Sequence, residues 1–250
     1  MYYGLPNGFH FLADVLCFTA FVLLVGRLGE TAQGATNLAF NLNTLAFLPM
    51  MGVCTAVTAL VARRLGEDRP DLARKTTFLA FRLAVTYMSI WALLYLLLPH
   101  PMLSLFRSEE NAAEFPALAA LTVRLLVYVA IYQVFDALGL VFGSAIRGAG
   151  DTVFPLVFTT ICGWCLMVIP IFIGMTWFDT GIDFAWIAAS VYIATLGIGL
   201  WLRFLEGRWQ RMRVIEHAAP ALTTSFETDA LALDDDPQAD PSPARVPADA

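Results

Sequence analysis

Two acidic residues lie where hydrocarbon is expected. Asp14 falls inside the first long apolar stretch, Leu5 to Leu28, and Asp136 inside the fourth, Leu118 to Ile146. An ionised carboxylate inside a membrane span is costly. Such a residue either serves ion or proton chemistry or stays protonated and hydrogen-bonded to a neighbouring helix. Asp14 is nine residues past Leu5, and Asp136 is ten residues before Ile146. At helical rise both lie about 14–15 Å deep, so the two carboxyls can face one another at one height. A pair so placed can exchange a proton for Na+ or for an organic cation.

Asp136 belongs to a stripe. Tyr128, Tyr132, Gln133, Asp136, Gly139 and Gly143 recur at i+3/i+4 spacing, so they share one helix face. A polar, small-residue face on an apolar span points into a bundle and away from lipid. Gly139 and Gly143 form a G-x-x-x-G pair that lets another helix approach. The second apolar stretch has a similar face of Asn37, Asn41, Thr44, Thr55 and Thr58. These residues either tie helices together or line a polar cavity. Pro49 and Gly52 are expected to interrupt that helix and permit bending. Cys162 and Cys165 form an isolated C-x-x-C, and His10, His100 and His217 form no cluster. No H-E-x-x-H, G-x-S-x-G or Walker A loop is present, so neither an enzyme nor an ATP-driven pump is expected.

The elements that must position these residues are membrane helices. The 250 residues are 58% hydrophobic and 14% charged, with a mean hydropathy of +0.68. Soluble domains are about 45–50% apolar and about 25% charged. Six spans qualify, at about 5–28, 38–62, 80–98, 118–142, 153–177 and 184–203. None alternates with period two, so the expected class is an all-α membrane protein, a six-transmembrane-helix bundle. The first apolar stretch has no basic residue before it and reads as a mature helix.

Six crossings place both ends of the chain on one side. That side receives Arg63, Arg64, Arg69, Arg74, Lys75, Arg147, Arg203, Arg208, Arg211 and Arg213, whereas the other side offers Arg27 and Arg107. The asymmetry predicts cytoplasmic termini in a multi-pass inner-membrane protein. The basic loop 63–75 is short and flanked by spans, so no nucleic-acid partner is expected. The net charge of −6 comes from the end of the chain, where residues 216–250 hold eight acids and one base. The cytoplasmic tail, 206–250, is expected to be disordered after about 216.

Four motifs resemble the multidrug and toxin extrusion (MATE) family. Gly4-Leu5-Pro6-Asn7-Gly8 followed by Asp14 resembles the family's seventh helix. Pro49-Met50-Met51-Gly52 with Ala62 to Pro70 is similar to its eighth helix and following loop. Leu105-Phe106-Arg107-Ser108-Glu109 is similar to an L-F-x-x-D/E step. Arg147-Gly148-Ala149-Gly150-Asp151-Thr152 with Pro155 resembles the R-G-x-G-D-T-x-x-P loop. The resemblance covers residues 4 to about 205 and only the C-terminal six helices of twelve.

The resemblance implies a secondary antiporter exporting organic cations or drugs in exchange for Na+ or H+, with no other cofactor. Asp136 and Asp14 fall on the family's cation-binding positions, although Asp14 stands where members often carry Glu. Tyr132, Gln133, Asn37 and Asn41 would line the cavity, and Pro49 would act as a hinge. Gly148 and Gly150 would make a tight turn. Asp151 or Thr152 would cap the fifth helix, with Pro155 in its first turn. Half a cavity cannot close around a substrate. The chain is therefore expected to be a truncated or split product, or to pair with a second six-helix lobe, either a missing N-terminal half or a second copy. Two alternatives remain open at this point: a non-transporting orphan lobe or scaffold, and a lipid-linked oligosaccharide flippase.

Overall fold

A computed structural model describes residues 4–106 and 115–211 of the chain. The residues from Arg107 to Glu109 in the L-F-x-x-D/E step, Arg213 and the acidic tail lie outside the described residues. The described residues are helical with short turns and contain no strand. Five rods are long and apolar enough to cross a membrane: α2 (Glu30–Gly66), α3 (Pro70–Leu97), α5 (Phe115–Gly148), Val153–Trp177 and α8 (Ile182–Leu205). The sixth, α1 (Gly4–Gly26), has 23 residues and an apolar stretch from Leu12 to Gly26. A six-residue helix, α4 (Pro99–Ser104), follows α3. The fold is an all-α, multi-pass membrane bundle.

The turns explain where the helices stop. Gly66 ends α2, Asp68 takes a left-handed φ of 55°, and Pro70 opens α3 at its first turn. Pro's fixed φ suits that position, and Asp71 beside it favours the positive helix end. Helix α3 therefore starts at Pro70, ahead of the apolar span, and it carries Arg74 and Lys75 on helical backbone. Glu67 accepts hydrogen bonds from Arg63 Nε (2.9 Å) and Arg64 Nη1 (2.8 Å). These bonds hold its carboxyl below the usual carboxylate range.

Helix α5 is central, packed against α2, α3 and α8. Its crossing with α8 depends on glycine. A Cβ on Gly197 would run into the carbonyl oxygen of Phe135, and one on Gly139 would meet the Gly197 backbone at 3.6 Å. Two aromatic clusters fill the bundle. At the basic end Phe142 lies 5.0 Å from Phe204, which stacks on Trp209 at 4.6 Å. Near the opposite end Phe40 lies 5.4 Å from Trp186, whose indole N–H donates to Thr36 Oγ1 at 3.4 Å. The outer face of α3 leaves Leu79, Leu83, Ile90, Leu93 and Leu97 exposed at helical spacing, a surface suited to lipid.

Helix α2 does not break at Pro49. It runs unbroken through Pro49 and Gly52 for 37 residues. Pro49 removes one backbone donor, but its ring faces outward, and the buried face from Ala46 to Cys54 stays packed. The irregular helix is the fifth span. It consists of α6 (Val153–Cys162), a π-helical segment (Gly163–Val168) and α7 (Ile169–Trp177). The π segment begins where Gly163 meets α1, since a Cβ there would come 2.6 Å from Cys17 Sγ.

Candidate functional site

Asp14 lies half-buried in the middle of α1, one turn before the buried Cys17. Asp136 lies half-buried in α5, one turn after Tyr132. Tyr192 of α8 is the common neighbour, within electrostatic reach of both carboxyls. Cys54 of α2 is close enough to feel Asp136, and its Sγ approaches Leu140 O at 3.6 Å. Asp14 of α1 and Asp136 of α5 are thus each within electrostatic reach of Tyr192 of α8. Among the described residues, Asp136 makes no hydrogen bond or ion pair.

The residues expected to line one cavity are divided by the fold. Tyr132 and Gln133 are buried inside the bundle, at 4% and 0% exposure. Gln133 turns to α3, with Nε2 3.5 Å from Met88 Sδ, and its Oε1 is enclosed without a partner. Asn37 and Asn41 are exposed on the surface of α2, together with Thr44 and Thr55. Thr58, one turn beyond Thr55, is instead half-buried and bonds across to Ser144 O at 3.1 Å. A face about six turns long cannot all meet the same neighbour, and it divides where α5 crosses it.

The α5 stripe divides in the same way. Tyr128 is far from the acids, and its hydroxyl donates to Asp183 Oδ1 at 3.1 Å. Arg124 Nη2 holds the other oxygen of Asp183 at 2.7 Å. Gly139 and Gly143 face α8. Gly148 is a contact glycine, because a Cβ on it would lie 2.5 Å from Thr58 O. Gly150 is the residue that makes the turn, with φ of 96°. Asp151 Oδ1 accepts from Phe154 N at 3.2 Å and so caps α6, while Oδ2 takes Arg203 Nη2 at 2.8 Å. The Arg203 guanidinium also lies 4.6 Å from the Phe154 ring centroid.

Three neighbours escaped the spacing argument. Tyr192 has only Ser190 and Thr195 as polar neighbours along its apolar span, too few to mark a face. Cys54 reads as a small core residue. Arg147 reads as a loop charge, yet it is half-buried and its Nη2 donates to Ser144 Oγ at 3.1 Å. The available signal was Gly143, one turn earlier, which leaves room for a long side chain. No group of three His, Cys, Asp or Glu residues suited to a metal occurs among the described residues. The carboxylates of Asp14 and Asp136 and the Tyr192 phenol are oxygen donors, the kind that suits a hard cation. A cavity of about 520 Å3, lined by Ile169, Ile173, Phe178, Thr180 and Phe184, lies at the opposite end and is apolar.

A family model described as MatE matches residues 6–173, which include Asp14, Asp136 and Arg147. The chain belongs to the MatE family. This MatE protein is 26% identical over 218 residues to the probable multidrug resistance protein NorM of Thermotoga maritima, covering 85% of this chain and 44% of that one. It is 29% identical over 204 residues to the multidrug resistance protein PmpM of Pseudomonas aeruginosa, covering 80% and 42%. Its fold resembles a crystal structure of MATE in the bent conformation, with TM-score 0.73, 16% identity and coverage of 85% and 46%. It also resembles a mutant of the Vibrio cholerae MATE transporter VcmN, with TM-score 0.72, 21% identity and coverage of 92% and 50%. The chain spans half or less of the length of these relatives.

Proposed function

We propose that this MatE protein forms the cation-coupled lobe of a multidrug efflux antiporter, in which Asp136 and Asp14 bind the coupling ion, Na+ or H+. Asp136 carries the reading: a carboxyl at mid-helix in a membrane bundle, without a hydrogen bond or ion pair among the described residues. A carboxyl kept for structure would be bonded to a neighbouring helix. The convergence of Asp14 and Tyr192 on the same region supports a shared site. The names of the relatives, multidrug resistance proteins, support efflux of small organic molecules, here organic cations drawn to an acidic site.

The exposed polar stripe of Asn37, Asn41, Thr44 and Thr55 supports a second lobe facing α2. Bare hydrocarbon is a poor solvent for such side chains. The basic residues at the ends of α2, α5 and α8 support an inner-membrane orientation with that end cytoplasmic. The test is drug efflux from cells expressing the chain together with the half that completes it. Asp136→Asn is expected to lower ion-driven efflux about tenfold or more, a factor of ten being about 1.4 kcal/mol of cation binding. Unchanged efflux in the variant, at equal protein level, removes Asp136 from coupling.

A further inference from the structure

Several cations at the basic end of the bundle are already engaged. Arg63 and Arg64 share Glu67, and Arg203 holds Asp151 at 2.8 Å. Arg74 lies 5.8 Å from the Phe78 ring centroid. Lys75 and Arg82 of α3 differ. Both are exposed, and among the described residues neither side chain makes a hydrogen bond, an ion pair or a ring contact. Asp71, one turn before Lys75, is exposed too and forms no ion pair with it. Helical spacing puts both cations on the lipid face. Lys75, Leu79 and Arg82 recur at i+4 and i+3, and the row continues through Leu83, Ile90 and Leu97. Leu79 and Leu83, on either side of Arg82, are 69% and 62% exposed.

Depth completes the placement. Counted back from Leu97 at helical rise, Arg82 lies about 22 Å and Lys75 about 33 Å along the axis. The hydrocarbon core is about 30 Å thick, so the two cations bracket its edge at the basic end. An exposed cation there is costly unless an anion meets it, and a long side chain turns toward the headgroups. Helical side chains lean toward the N-terminus, which in α3 is the same direction, so Arg82 is carried toward the level of Lys75.

We propose that Lys75 and Arg82 form a binding site for an anionic glycerophospholipid of the cytoplasmic leaflet. Its phosphate lies between the two cations, and one acyl chain runs along Leu79 and Leu83. The inference goes beyond the coupling reading and uses only the orientation of the basic end. Charge complementarity selects the headgroup. A zwitterionic headgroup already balances its phosphate with an amine, whereas two unpaired cations match a headgroup of net negative charge. The leucines select a lipid over a free anion, because covering their exposed surface takes a hydrocarbon chain.

Native mass spectrometry of the full chain in neutral detergent tests the site, by titration with phosphatidylglycerol or phosphatidylethanolamine of identical acyl chains. Wild type is expected to bind phosphatidylglycerol about tenfold more tightly. Lys75→Gln and Arg82→Gln are each expected to weaken phosphatidylglycerol about fivefold and to leave phosphatidylethanolamine within about twofold. Arg82→Lys keeps the charge and stays near wild type. Arg208→Gln removes an exposed cation at the same end but off α3, and it leaves the preference unchanged. Glycerol phosphate, which has the anion without the chains, does not displace the lipid. Equal affinity of wild type for the two lipids overturns the proposal. So does a preference that survives in the Lys75→Gln, Arg82→Gln double variant. A preference that falls equally in Arg208→Gln reports net charge alone and removes the site. Displacement by glycerol phosphate at the lipid's own concentration makes it a free-anion site and also overturns the proposal. If Arg82→Gln fails to fold, Lys75→Gln decides by the same readings.

Discussion

At the residue scale, charge placement separates two kinds of acidic residue in this chain. Asp151 is nearly enclosed, and its carboxylate is fully used, capping α6 through Oδ1 and pairing with Arg203 through Oδ2. Among the described residues, Asp136 has none of these bonds. The contrast predicts different phenotypes. Asp151→Asn leaves the Arg203 guanidinium, 15% exposed, without its buried partner and is expected to cost about 2–4 kcal/mol of stability. Replacing both, with Asp151→Asn and Arg203→Met, is expected to recover part of that loss. Thermal unfolding in detergent measures both variants. A double variant less stable than Asp151→Asn alone would show that Arg203 contributes chiefly through its stacking on Phe154. Asp136→Asn, by contrast, is expected to keep the wild-type melting temperature while coupling is lost.

At the element scale, the bundle is organised by backbone approaches that side chains would prevent. The crossing of α5 and α8 passes Gly139 over Gly197, and Gly148 brings the end of α5 against Thr58 of α2. Gly197→Leu forces a side chain into the Phe135 carbonyl. It is expected to destabilise the bundle by about 1–3 kcal/mol and to lower the yield of monodisperse protein on size exclusion. Gly52, which has open space around it, should accept Ala without loss. Equal damage at Gly52 and Gly197 would mean that the loss comes from glycine removal in general and not from this crossing. The G-x-x-x-G spacing marked the α5 half of the contact. Gly197 carried no comparable mark, since it has no small residue four positions away and glycine is common in membrane helices.

At the scale of the whole molecule, two outer surfaces differ in character. The α3 face is a row of leucines and isoleucines, whereas the α2 face carries Asn37, Asn41, Thr44 and Thr55. With the exposed Cys165 replaced by Ser, Asn41→Cys is expected to react with a hydrophilic maleimide when the chain stands alone. A completing lobe that covers α2 should slow the reaction. Leu83→Cys, in the lipid or detergent belt, is expected to react slowly in both cases. Mass spectrometry of the labelled protein reads the two rates. An Asn41→Cys rate as slow as that of Leu83→Cys would place the polar stripe in hydrocarbon and remove the argument for a facing lobe.

The sequence by itself determined the class and pointed to the two acidic candidates. Apolar run length and the rarity of charge in a span are local properties that need no coordinates. The family was also legible, because its motifs are carried by contiguous residues such as Arg147 to Thr152. Hydropathy marks spans and not helix ends: α3 starts at Pro70 because helical hydrogen bonding continues past the apolar stretch. Only the tertiary structure decided which polar residues share a space. It buried Tyr132 and Gln133, left Asn37 and Asn41 outside, and moved the irregular helix from Pro49 to the π segment at Gly163. It also put Tyr192 within electrostatic reach of both acids and bonded Arg147 to the buried Ser144. Such neighbours come from different helices, and no spacing along one strand of sequence encodes a distance between two.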